Sequence, residues 1–220
     1  MLEGGDGAGR STQVGLLLPW LAALGYAALP VGLGRSPLTH RAFEAHRRTP
    51  EAGPRTLALL YAADLTDQAR RRVTPGLQAG FLVIADRWTV TARARCLARD
   101  LSPAWLDAIL PAEPRPDLIC HLEVAPEVRL ERQVRKRGIP EFRESGRDAG
   151  FRGAALPSFL RYQEALDPLY ARCGPECAAR WCAVPGDGDP AGVQDLVRHA
   201  VADLLGSPAQ AAVGGGSAGG

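Results

Sequence analysis

The chain has 220 residues, with 26 basic and 24 acidic side chains and a formal net charge of +2. That length suits one domain with a full hydrophobic core, and the near-balanced charge excludes a general nucleic-acid or polyanion binder. Five cysteines (Cys96, Cys120, Cys173, Cys177 and Cys182) lack paired spacing; they read as reduced thiols in a cytoplasmic protein rather than as a disulfide framework or a metal cluster.

The first informative stretch is Glu3-Gly4-Gly5-Asp6-Gly7-Ala8-Gly9-Arg10-Ser11-Thr12. Gly4 and Gly9 have the spacing of G-x-x-x-x-G-K-[ST], with Ser11 in its place. The small residues Gly4, Gly5, Gly7, Ala8 and Gly9 let successive backbone N–H groups turn inward as a nest for phosphate oxygens. The helix that follows adds its positive end. Arg10 stands where the pattern has lysine; it keeps the charge but is a planar fork rather than a compact ammonium. Lys136 is the only lysine in the chain, so the exchange reads either as compositional drift or as lost catalysis. Only Met1, Leu2 and Glu3 precede the first glycine, which predicts a stub in place of the usual central strand, or a start that lies further upstream.

The apolar run Val14 to Leu29 is interrupted by Pro19 and Gly25 and is too short for a bilayer, so no membrane partner and no signal peptide are expected. Pro19 should kink or restart the helix after the loop. Tyr26 to Leu33 reads as the second strand, followed by Arg35-Ser36-Pro37-Leu38. Leu57 to Asp64 has helical apolar spacing, and Arg70 to Arg72 read as a solvated face.

Gly80 to Trp88 is the clearest strand, a continuous apolar run buried on both faces. It delivers Asp86 and Arg87 at its carboxyl end, where open α/β sheets place ligands. A carboxylate can act on Mg²⁺ through water and a guanidinium can bind phosphate bidentately. Leu118 to Val124 is the next strand, and Pro126 opens a helix that ends in Arg135-Lys136-Arg137. Residues 138–153 are polar and glycine-dotted, as a mobile lid should be. A helix over Leu156 to Tyr170, with Tyr162 in a packing role, a short strand over Arg180 to Val184 and a helix over Val193 to Leu205 complete the domain. Residues 206–220 are Gly/Ala/Ser-rich and read as a disordered tail. Alternating βα units around a phosphate loop predict a three-layer α/β fold over residues 1–205, with a parallel sheet between helices and a small lid.

Glu3 to Gln13 resembles the phosphate loop of thymidylate kinases at every family position but Arg10. Ser36-Pro37-Leu38, Leu57 to Asp64, Asp86-Arg87-Trp88, Ala94 and Pro116 to Arg132 resemble further family segments, in the family's order. The resemblance implies a P-loop nucleoside monophosphate kinase that passes the γ-phosphoryl of ATP, with Mg²⁺, to dTMP, usually as a homodimer. It implies that Gly4 to Thr12, with Arg10, hold the donor phosphates, and that Ser11 and Asp86 hold Mg²⁺. Asp6 would then meet the acceptor sugar or its metal shell, Arg87 the phosphates, and a lid arginine, Arg143 or Arg147, the transferred group. On the acceptor side the chain departs from the family. Val31-Gly32-Leu33 replaces Arg-Glu-Pro, Leu65 replaces an arginine, and Arg95 and Cys96 replace the Tyr-Gln pair at the thymine. Arg35 is a candidate substitute for the lost phosphate grip. Two alternatives follow: a nucleotide-binding paralogue with little or no activity, or a kinase with a changed acceptor, for which Arg95 is the candidate cause.

Overall fold

The computed structural model describes residues 1–48, 53–111 and 114–206. Five strands, β1 (Leu2–Glu3), β2 (Ala28–Gly32), β3 (Leu82–Asp86), β4 (Leu118–Glu123) and β5 (Arg180–Pro185), form one parallel sheet in the order β2-β3-β1-β4-β5. Leu2–Glu3 lies at the centre of the sheet. Leu2 is in register with both Asp86 and Cys120, and the main-chain N–H of Arg87 continues the ladder to the Leu2 carbonyl at 3.1 Å.

The helices are α1 (Arg10–Ala23), α2 (His40–Arg48), α3 (Pro54–Gln68), α4 (Thr74–Gln78), α5 (Thr89–Leu97), α6 (Pro103–Ile109), α7 (Pro126–Arg137), α8 (Ala155–Cys177) and α9 (Pro190–Leu205). They cover both faces of the sheet, the three-layer arrangement expected of alternating βα units. On one face Val14, Leu17 and Leu21 of α1 and Val193 and Val197 of α9 pack on Leu2, Ile84, Leu122 and Val184. On the other, Leu57, Ala58 and Leu65 of α3 join Ala92 of α5 against Val31 and Ala85, while Tyr162, Leu166 and Tyr170 of α8 pack on Ile119. Neighbours Ile84 and Ala85 thus enter opposite layers, as the two-residue period of a strand requires.

Three local outcomes differ from the sequence reading. The helix after the loop runs unbroken through Pro19 because its buried stripe, Gln13, Val14, Leu17 and Leu21, is anchored on both sides of the proline. The eighth helix extends to Cys177 through Pro168 and Pro175, seven residues beyond Tyr170, where the sequence reading ended it. Helices α3 and α4 are joined without a break by a single wide π turn, Ala69–Val73. Such turns recur near functional sites, and here the residue before it, Gln68, donates to the Gly32 carbonyl at 2.8 Å and ties the helix to the end of β2. The C-terminal tail read from composition lies, from residue 207 on, outside the described residues. Among the described residues no helix is long and apolar enough to cross a membrane.

Candidate active site

Every strand of the sheet points its carboxyl end at one rim, and the loops there carry the chemistry. Glu3 ends β1 as a fully buried carboxylate. It accepts from the Trp88 and Thr91 main-chain N–H groups at 2.8 and 3.4 Å and from the Thr91 hydroxyl. A carboxylate is favoured at the positive end of a helix, so Glu3 fixes the start of α5 and, with it, the turn that presents Arg87. Arg87 has φ of +66°, a conformation that a side chain other than glycine adopts only when its surroundings enforce it.

The loop from Gly4 to Gly9 closes around two arginines. Arg10, at the first turn of α1, folds back so that Nη1 donates to the Gly4 carbonyl at 2.6 Å and to the Gly5 carbonyl, while Nε donates to Asp86 Oδ1 at 3.3 Å. Arg87 reaches the same Gly4 carbonyl at 3.1 Å, the Thr91 and Tyr170 hydroxyls at 3.1 Å each, and Asp6 Oδ1 at 2.6 Å. Burial, then the Arg87 cation beside it, pulls the Arg10 guanidinium down to about 10; it remains charged at neutral pH.

The carboxylates of the rim are shared between guanidinium groups in a repeating pattern. Asp86 accepts from Arg10, from the Ser11 hydroxyl at 2.7 Å and from Arg35 at 3.1 Å. Asp6 accepts from Arg87 and, through both oxygens, from Arg95 at 3.0 and 2.8 Å. Asp148 accepts from Arg99 at 2.8 and 2.9 Å and from Arg143 at 2.7 Å. Burial alone would raise the Asp6 carboxyl, but the Arg95 and Arg87 cations hold it well below the usual range. Asp86 is likewise lowered against its burial, by Arg10 and the Ser11 hydrogen bond. Each carboxylate serves two guanidinium groups, so the cluster keeps a net positive charge suited to a polyanion.

Two cavities open on this rim. One, of about 320 Å³, is lined by Asp6 to Gln13, by Arg132, Gln133, Lys136 and Arg137 of α7, and by Gly186, Gly188, Pro190 and Val193 of the loop and helix after β5. Arg132 holds that loop by donating to the Gly186 and Asp187 carbonyls at 2.9 and 3.1 Å. The other, of about 290 Å³, is lined by Arg35, Phe43, Leu57, Tyr61, Asp86, Arg87, Arg95, Arg99, Arg143 and Tyr162 among others. Asp6, Arg10, Ser11 and Arg137 line both, so the cavities meet over the phosphate loop. The second cavity is charged near Asp86 and aromatic further in, where Phe43 and Tyr61 lie 5.5 Å apart and Arg99 sits 5.4 Å over the Tyr162 ring.

Of the residues singled out from the sequence, Gly4 to Thr12, Asp86 and Arg87 gather at this rim, and Arg143 joins them. Arg147 does not line either cavity; its Nε donates to Ser145 Oγ at 3.2 Å and its guanidinium lies 5.1 Å over Phe142. Residues 138–153 form a hydrogen-bonded loop with a short 3₁₀ turn, Arg147–Ala149, clasped to α5 through Arg99 and Asp148.

Two positions read as departures from the family on the acceptor side lie away from this cavity. Cys96 is fully buried in the core with its thiol pushed up to about 12 by burial, because one residue on from Arg95 is a third of a turn round the helix. Leu65 lies one turn beyond Tyr61, past the cavity, and is also fully buried. Sequence reasoning missed the work of Glu3, of Arg99 and of Asp64. Asp64 accepts from the Gly34 and Ser36 main-chain N–H groups and from Thr39 at 2.7 to 2.9 Å and so shapes the loop that carries Arg35. A lone buried acid in an otherwise apolar helix was the signal for Asp64; nothing local marked Arg99.

A glycine loop opening a helix at the centre of a parallel sheet, with paired cavities at the strands' carboxyl ends, is the architecture of a P-loop kinase fold. Comparison with known proteins makes this narrower. The family model described as thymidylate kinase matches residues 2–150. A probable thymidylate kinase 2 of Saccharolobus solfataricus is 26% identical over 203 residues, covering 92% of this chain and 94% of that protein. A probable thymidylate kinase of Pyrococcus abyssi is 32% identical over 155 residues, covering 64% and 72%. A thymidylate kinase of Leifsonia xyli subsp. xyli is 44% identical over a shorter span of 93 residues, covering 40% and 42%. The chain belongs to the thymidylate kinase family.

Proposed function

We propose that this chain transfers the γ-phosphoryl group of ATP to a nucleoside monophosphate, with dTMP as the acceptor. The observation that carries the reading is the meeting of two cavities at Asp6, Arg10 and Ser11. A donor in one and an acceptor in the other would face each other across the phosphate loop. Phosphoryl transfer needs positioning and charge neutralisation rather than a covalent intermediate. The cavity beside α7 and the Gly186 loop suits ATP, its phosphates on the loop amides. The cavity lined by Phe43, Tyr61 and Tyr162 suits the acceptor, its base among the aromatic rings and its phosphate toward Arg35 and Arg87. Ser11 and Asp86 offer a hydroxyl and a carboxylate 2.7 Å apart, hard oxygen donors that fit Mg²⁺. They would hold the ion, and bound Mg²⁺ supplies neutralisation of the donor phosphates. Arg87, Arg137 and Arg143 would offset charge that develops on the transferring group. The loop over residues 138–153 acts as the lid that excludes water.

The pair Arg95–Asp6 favours one second reading, a changed acceptor. It places an ion pair, one guanidinium nitrogen shared by both carboxylate oxygens, in the wall where the sugar of the acceptor would rest, and a different polar substituent would find partners there. A panel of deoxy- and ribonucleoside monophosphates, each assayed with MgATP for ADP release, separates these readings. dTMP is expected to give the highest kcat/KM. A different monophosphate at the top would replace dTMP in the reading, and ATP binding without ADP release from any acceptor would leave a nucleotide-binding paralogue.

A further inference from the structure

We infer that Arg129 is a positioning residue for the phosphate loop, acting from behind it through Gln163 and Asp167; the inference rests on the reading of the loop as the ATP site. Arg129 projects from α7, is 1% exposed, and leads the fully buried side chains in volume. Its two terminal nitrogens donate to the two carboxylate oxygens of Asp167 on α8, at 2.8 and 2.6 Å. Nη1 also donates to Gln163 Oε1 at 3.3 Å, and the same oxygen accepts from the main-chain N–H of Asp6 at 3.0 Å. An unbroken polar chain therefore runs from the half-exposed Asp167, through a buried cation, into the middle of the loop.

The glycines of the loop record how close this support comes. A Cβ on Gly5 would lie 1.9 Å from Arg129 Nη1 and 2.5 Å from Gln163 Oε1. The backbone of Gly5 is not in the left-handed region, so space for the guanidinium, not conformation, demands glycine there. A Cβ on Gly7 would lie 2.2 Å from the Arg129 carbonyl oxygen. The loop is thus pressed between ligand space on one side and α7 and α8 on the other. Asp6, whose N–H is pinned to Gln163, carries the carboxylate at the junction of the two cavities. Preorganised amides hold an anion without reorganisation on binding, and Arg129 supplies the surface against which they are set. Leaving a buried guanidinium without its carboxylate is costly, so Asp167 belongs to the same device.

Calorimetric titration of the full chain with MgATP, without acceptor, tests this on wild type, Arg129→Met, Asp167→Asn, Gly5→Ala and the double variant Gly5→Ala/Arg129→Met. Affinity is expected to fall at least tenfold in Arg129→Met and threefold or more in Asp167→Asn. Gly5→Ala should cost tenfold in the wild-type background and less in Arg129→Met, since the guanidinium it strikes is gone and only Gln163 Oε1 remains in its way. A salt bridge that only stabilised the fold would lower the melting temperature and leave MgATP affinity of the folded variants unchanged, and unchanged affinity in folded Arg129→Met overturns the inference. Unchanged affinity in folded Asp167→Asn also overturns it, even where Arg129→Met does not fold. A wild-type chain that binds no MgATP overturns the donor-site reading, and the inference falls with it.

Discussion

Arg10→Ala takes out the cation that closes the phosphate loop from within. The guanidinium is held by the Gly4 and Gly5 carbonyls and by Asp86, and the two side chains of the ion pair are 9% and 7% exposed, so solvent screening is slight. Removing one partner of a buried pair costs about 3–5 kcal/mol. Asp86 keeps donors from Ser11 and Arg35, which places the loss near the lower end, about 3 kcal/mol. For a chain of this size that is a fall in melting temperature of about 6–12 °C. On the proposed role of Arg10 at the donor phosphates, losing that charge-assisted contact adds about 1.5–3 kcal/mol to the barrier, roughly a 10- to 200-fold fall in kcat/KM. Arg10→Lys restores the charge on a shorter, single-nitrogen reach and should recover turnover to within about tenfold of wild type. ADP release coupled to NADH oxidation, on protein shown to be folded by its melting curve, measures both. A folded Arg10→Ala enzyme that turns over within threefold of wild type would refute the argument that Arg10 serves the donor phosphates.

Two further predictions follow from the geometry. Arg143 lines the cavity proposed for the acceptor and Arg147 does not, so Arg143→Ala should lower kcat by at least tenfold and Arg147→Ala by less than threefold in the same assay; equal effects would remove the distinction between them. His121 stacks between Tyr170 and Trp181 at 5.4 and 5.0 Å. Burial, with the Arg129 cation next, pulls its imidazole down to about 4 from 6.5. Between those values the unfolded chain binds a proton that the folded chain refuses, so stability falls as the pH drops from about 6.5 to about 4, by about 3 kcal/mol, and this contribution levels off below. The depressed carboxyls of Asp6 and Asp86 add their loss only below about pH 4. Thermal melts across pH 4–7 should show the slope in wild type and a flatter profile in His121→Phe; parallel profiles would exclude His121 as its source.

The linear chain by itself determined the sheet and the donor side of the site. A glycine-spaced loop opening an apolar helix, and an unbroken apolar strand ending in Asp86-Arg87, are local patterns whose physics needs no distant partner, and both stand at the same rim of the structure. A strand leading into the loop was legible too, because a phosphate loop must be fed by one. Tertiary structure alone decided the acceptor wall and the support behind the loop. Arg95 and Cys96 are neighbours in sequence, yet helix rotation sends one to the cavity and the other to the core, and no spacing rule settles which until α5 has docked. Arg129, Gln163 and Asp167 read as ordinary residues of two surface helices. They become one device around a buried guanidinium only when α7 and α8 close on Gly5, since the desolvation and pairing that give those groups their role exist only where three remote segments meet.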